Sequence, residues 1–83
     1  MTKGLRLPLP ENAPKAGELY KHYKGDSYQV VDIALHSNDD VWMVVYKPLY
    51  ENAVADLFIR PLSEWREKVL GEYREVDRFT LIG

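Results

Sequence analysis

The stretch YKHYKGDSYQVVDIAL, residues 20–35, predicts two consecutive β-strands joined by a tight turn. Gly25-Asp26-Ser27 is favourable turn chemistry, because Gly tolerates positive φ and because Asp and Ser side chains bond neighbouring backbone groups. Residues 18–23 alternate loosely before this turn, and residues 28–35 follow it as a segment with several β-branched residues. One face of the second strand is expected to hold Val31, Ile33 and Leu35.

Three further segments have strand character. Residues 41–47 are apolar on both faces, which predicts a central strand or one that is half covered by another part of the chain. Pro48 ends this strand because proline cannot donate to a ladder, and Pro61 closes the next one, residues 56–60, in the same way. Residues 78–82 are predicted to form a closing strand.

A short helix is predicted at residues 63–70, before the closing strand. Ser63 is a suitable N-cap, and Gly71 is placed to adopt the left-handed conformation that often follows a helix. The buried stripe of this helix is expected to hold Leu62, Trp65 and Val69.

These elements predict a mostly β fold, a small SH3-like barrel of about five strands with one short helix before the last strand. Closure into a barrel protects edge strands that so small a sheet cannot otherwise hide. The alternative is an open antiparallel sheet with the helix packed on one face.

The first part of the chain differs from the rest. Residues 1–17 contain Pro8, Pro10 and Pro14, which exclude the middle of a sheet and predict an extended N-terminal arm. The arm is either loose or docked on the domain through its alternating leucines, Leu5, Leu7 and Leu9. Residues 18–83 are then expected to form one domain.

Composition narrows the range of functions. The chain has 83 residues, a formal net charge of −2, a sequence pI near 5.6 and no cysteine, so disulfides and cysteine-ligated zinc are excluded. The negative net charge argues against nucleic acid as a partner. Because no apolar run is long enough for a membrane span and no signal peptide is visible, a cytoplasmic location without membrane association is expected.

A set of short motifs extends from residue 17 to about residue 82. They are Tyr20-Lys21-His22-Tyr23-Lys24-Gly25, Tyr28, Val30, Ala34, His36, Ser37, Val45-Tyr46, Leu49-Tyr50, Arg60-Pro61-Leu62 and Arg78-Phe79. In these motifs the chain resembles the domain of unknown function 1653 family of small bacterial proteins. The resemblance implies an SH3-type barrel and brings no established activity and no catalytic residue.

Arg60 is the strongest candidate for a binding residue. A guanidinium on a strand that Pro61 closes is pre-organised for a carboxylate or a phosphate. The other interpretation is an internal ion pair with Glu18, Asp32 or Glu64.

The leading hypothesis is a non-enzymatic module that binds a peptide or a small acidic ligand in a groove, without a metal or cofactor. The residues predicted to line this groove are His22, Tyr23, His36, Tyr46 and Arg60.

Two other function classes stay open. Single-stranded nucleic acid could stack on exposed tyrosines while Lys21, Lys24 and Arg60 follow its phosphates. A small metal-dependent or hydrolytic enzyme would use His36 and Asp40. Both histidines have a structural interpretation as well, in which each imidazole bonds a neighbouring backbone carbonyl and braces a turn.

Overall fold

The structure, a computed structural model, describes residues 6–83. Five strands in this part of the chain form one antiparallel sheet in the order β4-β3-β2-β1-β7, and β5 pairs only with β6 in a separate hairpin. The elements are β1 (Leu19–His22), β2 (Ser27–His36), β3 (Val41–Pro48), β4 (Phe58–Pro61), α1 (Leu62–Trp65), β5 (Lys68–Leu70), β6 (Glu75–Asp77) and β7 (Phe79–Leu81). The predicted mostly β character with one short helix is therefore confirmed.

The first predicted hairpin is present. β1 and β2 pair antiparallel, with Tyr20 opposite Tyr28. Gly25 lies at φ 113°, and its N–H donates to the carbonyl of His22 at 2.8 Å. An L-amino acid with a side chain rarely adopts that φ, so glycine is what permits the tight return of the chain.

A β-bulge interrupts the predicted alternation of faces along β2. The register shifts between Val30, which lies opposite Tyr46, and Asp32, which lies opposite Val45. Val30 is only 1% exposed, whereas Val31 is 39% exposed. The expectation that Val31 shares a face with Ile33 is wrong: Ile33 packs against the core, and the extra residue in the bulge reverses the alternation between them.

The strand β3 is central, as its two apolar faces predict. It pairs with β2 on one side and with β4 on the other. Its residues Val44 and Tyr46 alternate onto the buried face. The described core consists of Val30, Val44, Tyr46, Leu62, Trp65 and Phe79.

The predicted helix at residues 63–70 is wrong beyond its first turn. α1 ends at Trp65, and Val69 of β5 lies opposite Val76 of β6. A helix of two turns gains little over its nucleation cost, whereas a hairpin places two β-branched residues opposite each other. Gly71 has no positive φ, and its N–H donates to the carbonyl of Arg74 at 2.8 Å. Ser63 makes no capping hydrogen bond, since the cap position is Pro61.

The arm lies against its own domain over residues 6–17. The indole Nε1–H of Trp42 donates to the carbonyl of Pro8 at 3.0 Å, and the N–H of Gly17 donates to the carbonyl of Val30 at 2.8 Å. Pro14 is buried, and Ala13 packs against the core. Leu5, which was expected to help dock the arm, lies outside the described residues.

The sheet is open in its hydrogen bonding. β4 and β7 are its two edge strands and are not neighbours in the hydrogen-bonded order. No closed barrel is found in the described part of the chain, so the SH3-like barrel stays unconfirmed. Among residues 6–83, no helix has the length and apolar character needed to cross a membrane.

Candidate functional site

Phe79 lies at the centre of the group of polar and aromatic side chains that we call the Phe79 cluster. The ring of Phe79 is stacked on Trp65, with centroids 3.7 Å apart, and meets the ring of His22 edge-on at 5.0 Å. Tyr28 and Tyr46 each lie 5.9 Å from the Phe79 ring. The cluster consists of His22, Tyr28, Tyr46, Arg60, Trp65, Arg78 and Phe79.

Strand register explains why Arg60 belongs to this cluster. Phe58 lies opposite the buried Tyr46, and Arg60 lies opposite the buried Val44. Because alternate residues of a strand share a face, Arg60 occupies the same inner face as Phe58. The strand and the following Pro61 therefore hold a cation on a face that is otherwise mostly aromatic and aliphatic.

The guanidinium of Arg60 interacts with an aromatic ring and with one carboxylate. Its Cζ atom lies 5.5 Å from the centroid of Phe79, within the range of a cation–π interaction. Nη1 lies 3.7 Å from Oε1 of Glu64, which matches one of the internal ion pairs expected from the sequence. The side chain is 27% exposed, and its buried Nε has no hydrogen-bond partner among residues 6–83.

Arg78 is a second guanidinium near this site that the sequence-based prediction missed, and it is close enough for its positive charge to lower the pKa of His22. Its Nη2 donates to Oε1 of Glu67 at 3.0 Å, and its backbone N–H donates to the carbonyl of the same residue at 3.0 Å. The side chain is 21% exposed, and its buried Nε also lacks a partner within the described chain. The available sequence signal was its position directly before Phe79.

His22 is held as a neutral imidazole. Burial is the main cause that lowers its pKa below the ordinary value of 6.5, and the positive charges of Arg60, Arg78 and Lys24 lower the pKa further. Its Nδ1 accepts the backbone N–H of Lys24 at 3.2 Å, so the ring proton of the neutral form is on Nε2. The site thus combines two cations with one neutral donor.

The tyrosines have different roles. Tyr46 is 6% exposed and packs beneath the cluster, whereas Tyr23 is exposed, with its ring 4.7 Å from that of His22. Tyr28 continues the row of rings toward Tyr50, and their hydroxyl groups are 3.1 Å apart. The exposed rings of Tyr23 and Tyr50 therefore lie beside His22 and Tyr28, at the edge of the Phe79 cluster.

His36 does not join the other four predicted residues. It lies at the end of β2 remote from β1, and a ten-residue strand spans about 30 Å. Its Nδ1 accepts the backbone N–H of Asp39 at 3.3 Å, with Asp39 Oδ2 at 3.7 Å. Both histidines thus brace turns by accepting an N–H group, whereas a bond to a carbonyl was expected. No cluster of three or more His, Asp or Glu residues suited to a metal ion occurs within residues 6–83.

Two clefts of the structure lie away from the Phe79 cluster. They flank the arm beside Trp42 and have volumes of about 280 and 320 Å³.

Comparison with known proteins places these residues in a family. The family model described as "Protein of unknown function (DUF1653)" matches residues 18–81. A crystal structure of a DUF1653 protein from Bordetella bronchiseptica is similar, with a TM-score of 0.80 and 32% sequence identity over 88% of this chain and 91% of that chain. None of the curated proteins matches this chain. The predicted resemblance is confirmed, and the chain belongs to the DUF1653 family of proteins of unknown function.

Proposed function

We propose that this protein is a non-enzymatic binding module whose ligand presents a carboxylate, or a similar acidic group, to Arg60 and Arg78. The observation that carries the proposal is that two partly buried guanidinium groups, those of Arg60 and Arg78, both lie close enough to His22 for their charges to lower its pKa, with Arg60 also against the ring of Phe79. Each has a buried Nε without a hydrogen-bond partner in the described residues. Both positive charges act on His22, and positive charges that share one environment are unfavourable unless an anion offsets them.

The internal carboxylates offset these charges only in part. Glu64 is half exposed and 3.7 Å from Arg60, a geometry that contributes at most about 1 kcal/mol. Glu67 is similarly exposed and bonds a single nitrogen of Arg78. A guanidinium carries five N–H donors in a planar fork, so both side chains keep donor capacity for an external anion.

The neighbouring rings favour an acidic group that is attached to an apolar body. Neutral His22 adds a donor without a third positive charge, and exposed Tyr23 offers a ring face beside it. A peptide segment with an acidic side chain, or a small organic acid, fits this combination. The proposal includes an SH3-like curl of the sheet, in which the contact of Arg60 with Phe79 brings the two edge strands together.

The test is a titration followed by backbone and side-chain NMR. N-acetylglutamate and a short Glu-containing peptide are added to wild type, to Arg60→Gln and to the matched control Arg74→Gln, whose exposed arginine lies in the β5–β6 hairpin. We expect saturable shifts at His22 and Phe79 in wild type and in the control, and their loss in Arg60→Gln. Glu64→Gln should bind more tightly, because it removes a competing carboxylate.

Two results would contradict the proposal. One is the absence of saturable shifts at the Phe79 cluster with either acid. The other is equal weakening of binding by Arg60→Gln and Arg74→Gln, which would indicate general attraction to charge. Binding of a single-stranded oligonucleotide that weakens steeply with added salt would instead favour the nucleic-acid alternative. Metal analysis of the purified protein tests the enzymatic alternative based on His36 and Asp40.

A further inference from the structure

We infer that the face around Trp42 is a binding site for extended, proline-containing segments, and that residues 6–11 of the arm occupy this site in cis. We call this face the Trp42 site. It is distinct from the Phe79 cluster, because Trp42 lies near the start of β3 whereas Tyr46 lies near its end. The inference does not depend on the proposed function above.

The hydrogen bonds at the Trp42 site recognise backbone carbonyl groups. Trp42 Nε1–H donates to the carbonyl of Pro8 at 3.0 Å, and Arg66 Nη2 donates to the carbonyl of Glu11. Both acceptors are more than thirty residues away in sequence from their donors. Neither bond requires a particular side chain on the arm, so another segment of the same backbone conformation could make both.

Proline-rich backbone suits these donors for a physical reason. A polyproline II segment forms no internal hydrogen bonds, so its carbonyl groups remain available, and proline has no N–H that would need a partner. The indole N–H is a donor only, and the indole ring supplies an apolar surface for the pyrrolidine rings. This is the arrangement by which aromatic grooves bind proline-containing peptides in general.

The arm does not fill the Trp42 site. One cleft of about 280 Å³ lies beside Pro10 and is bounded by Trp42, Leu62 and Arg66. A second cleft of about 320 Å³ on the Leu7 and Leu9 side also borders Trp42. Leu9 remains 52% exposed. A segment with bulkier apolar residues beside its prolines would therefore bury more surface than the arm does.

Because the arm already occupies the Trp42 site in cis, a second segment has to compete with it. A short tether gives the arm an effective concentration in the range of about 1 mM, against which any added peptide competes. A peptide identical to the arm should thus bind wild type poorly and bind well only when the arm of the protein is weakened. This competition makes the inference testable with the full chain.

The experiment follows the indole N–H resonance of Trp42 by NMR, assigned by its loss in Trp42→Phe. The full-length variant Pro8→Gly/Pro10→Gly has a more flexible arm, because glycine removes the fixed φ of both prolines. The probe is a synthetic peptide of residues 6–12. The control peptide carries glycine at both proline positions.

We expect the peptide to cause a saturable shift of the Trp42 indole resonance in the double variant. The peptide concentration at half-saturation should be at least about tenfold lower than in wild type. The control peptide should have a much weaker effect. If the double variant does not fold, the single variant Pro8→Gly provides a second loosened chain, since it leaves both hydrogen-bond donors of the Trp42 site, Trp42 and Arg66, in place. Absence of a saturable shift in a folded loosened variant would overturn the inference. Equal binding of the control peptide would overturn it as well.

Discussion

The indole of Trp65 lies flat on the ring of Phe79, with centroids 3.7 Å apart and ring planes within 5° of each other. Trp65 ends the short helix after β4, and Phe79 opens the last strand. This one contact joins the two parts of the chain that carry Arg60 and Arg78. The ring of Phe79 also contacts the ring of His22, so the packing of Phe79 positions the candidate site as well as part of the core.

Replacing Phe79 with Ala should therefore affect both stability and the site. A buried Phe→Ala change costs about 3–5 kcal/mol through lost burial and the cavity that remains. Phe79→Leu should cost less, because it keeps much of the volume. Denaturant unfolding of both variants measures the difference. A loss well under ~1 kcal/mol for Phe79→Ala would show that the stack contributes little to the core.

Arg60→Gln should raise the pKa of His22. Burial is the first cause of its lowered pKa and persists in the variant, so the pKa should rise yet stay below 6.5. Histidine ring titration by NMR measures the change, with Arg74→Gln as the matched control. An unchanged His22 pKa would contradict the electrostatic link between Arg60 and the imidazole.

The same lowered pKa predicts how stability depends on pH. Unfolded His22 takes up a proton more readily than folded His22, so protonation favours the unfolded chain. The stabilisation that neutral His22 contributes is present above pH 6.5. It is lost as the pH falls through the pKa of His22 in the folded protein. His22→Asn should flatten this part of a plot of unfolding free energy against pH.

Tyr20 should make the protein less stable in alkali. Burial, followed by the nearby carboxylate of Glu18, raises its pKa from 10.0 to about 12. The unfolded chain loses the tyrosine proton first, so stability is full below pH 10 and falls as the pH rises toward 12. Tyr20→Phe should reduce this slope in part, since burial also raises the pKa of Tyr28. An unchanged slope would contradict the prediction.

Two glycine replacements should destabilise the protein for different reasons. Gly25→Ala places a side chain at φ 113° with no atom within 4 Å, so backbone strain alone costs about 1–2 kcal/mol. Gly71→Ala would bring a Cβ to 3.1 Å from the carbonyl oxygen of Arg74 and should open the β5–β6 hairpin locally. Hydrogen exchange distinguishes them, because only the second should accelerate exchange mainly at residues 68–77.

The sequence predicted best the elements that depend on local chemistry. The Gly25 turn, the central strand β3 and the stop at Pro61 each follow from properties of one residue or a short pattern. The bulge at Val31 depends on pairing with another strand. The β5–β6 hairpin depends on a pairing that competes with helix formation. Residue spacing does not contain that information.

The candidate site was predictable to a similar degree. The placement of Arg60 beside Pro61 indicated a fixed guanidinium, and His22 and Tyr23 indeed lie close to the Phe79 ring system. His36 was expected at the same groove because it ends a strand, but only the strand register shows which end. Arg78 was missed because its role depends on the fold bringing β7 next to β1.

The contact of Arg60 with Phe79 gives the sheet a seam. β4 and β7 share no ladder, yet a cation on one edge rests against a ring on the other. Separation of the two edges thus breaks a side-chain contact and no backbone hydrogen bond between them. The seam is consequently the place where β4 and β7 can separate without the loss of strand-to-strand hydrogen bonds. An anion bound at Arg60 would act on both of these edge strands together.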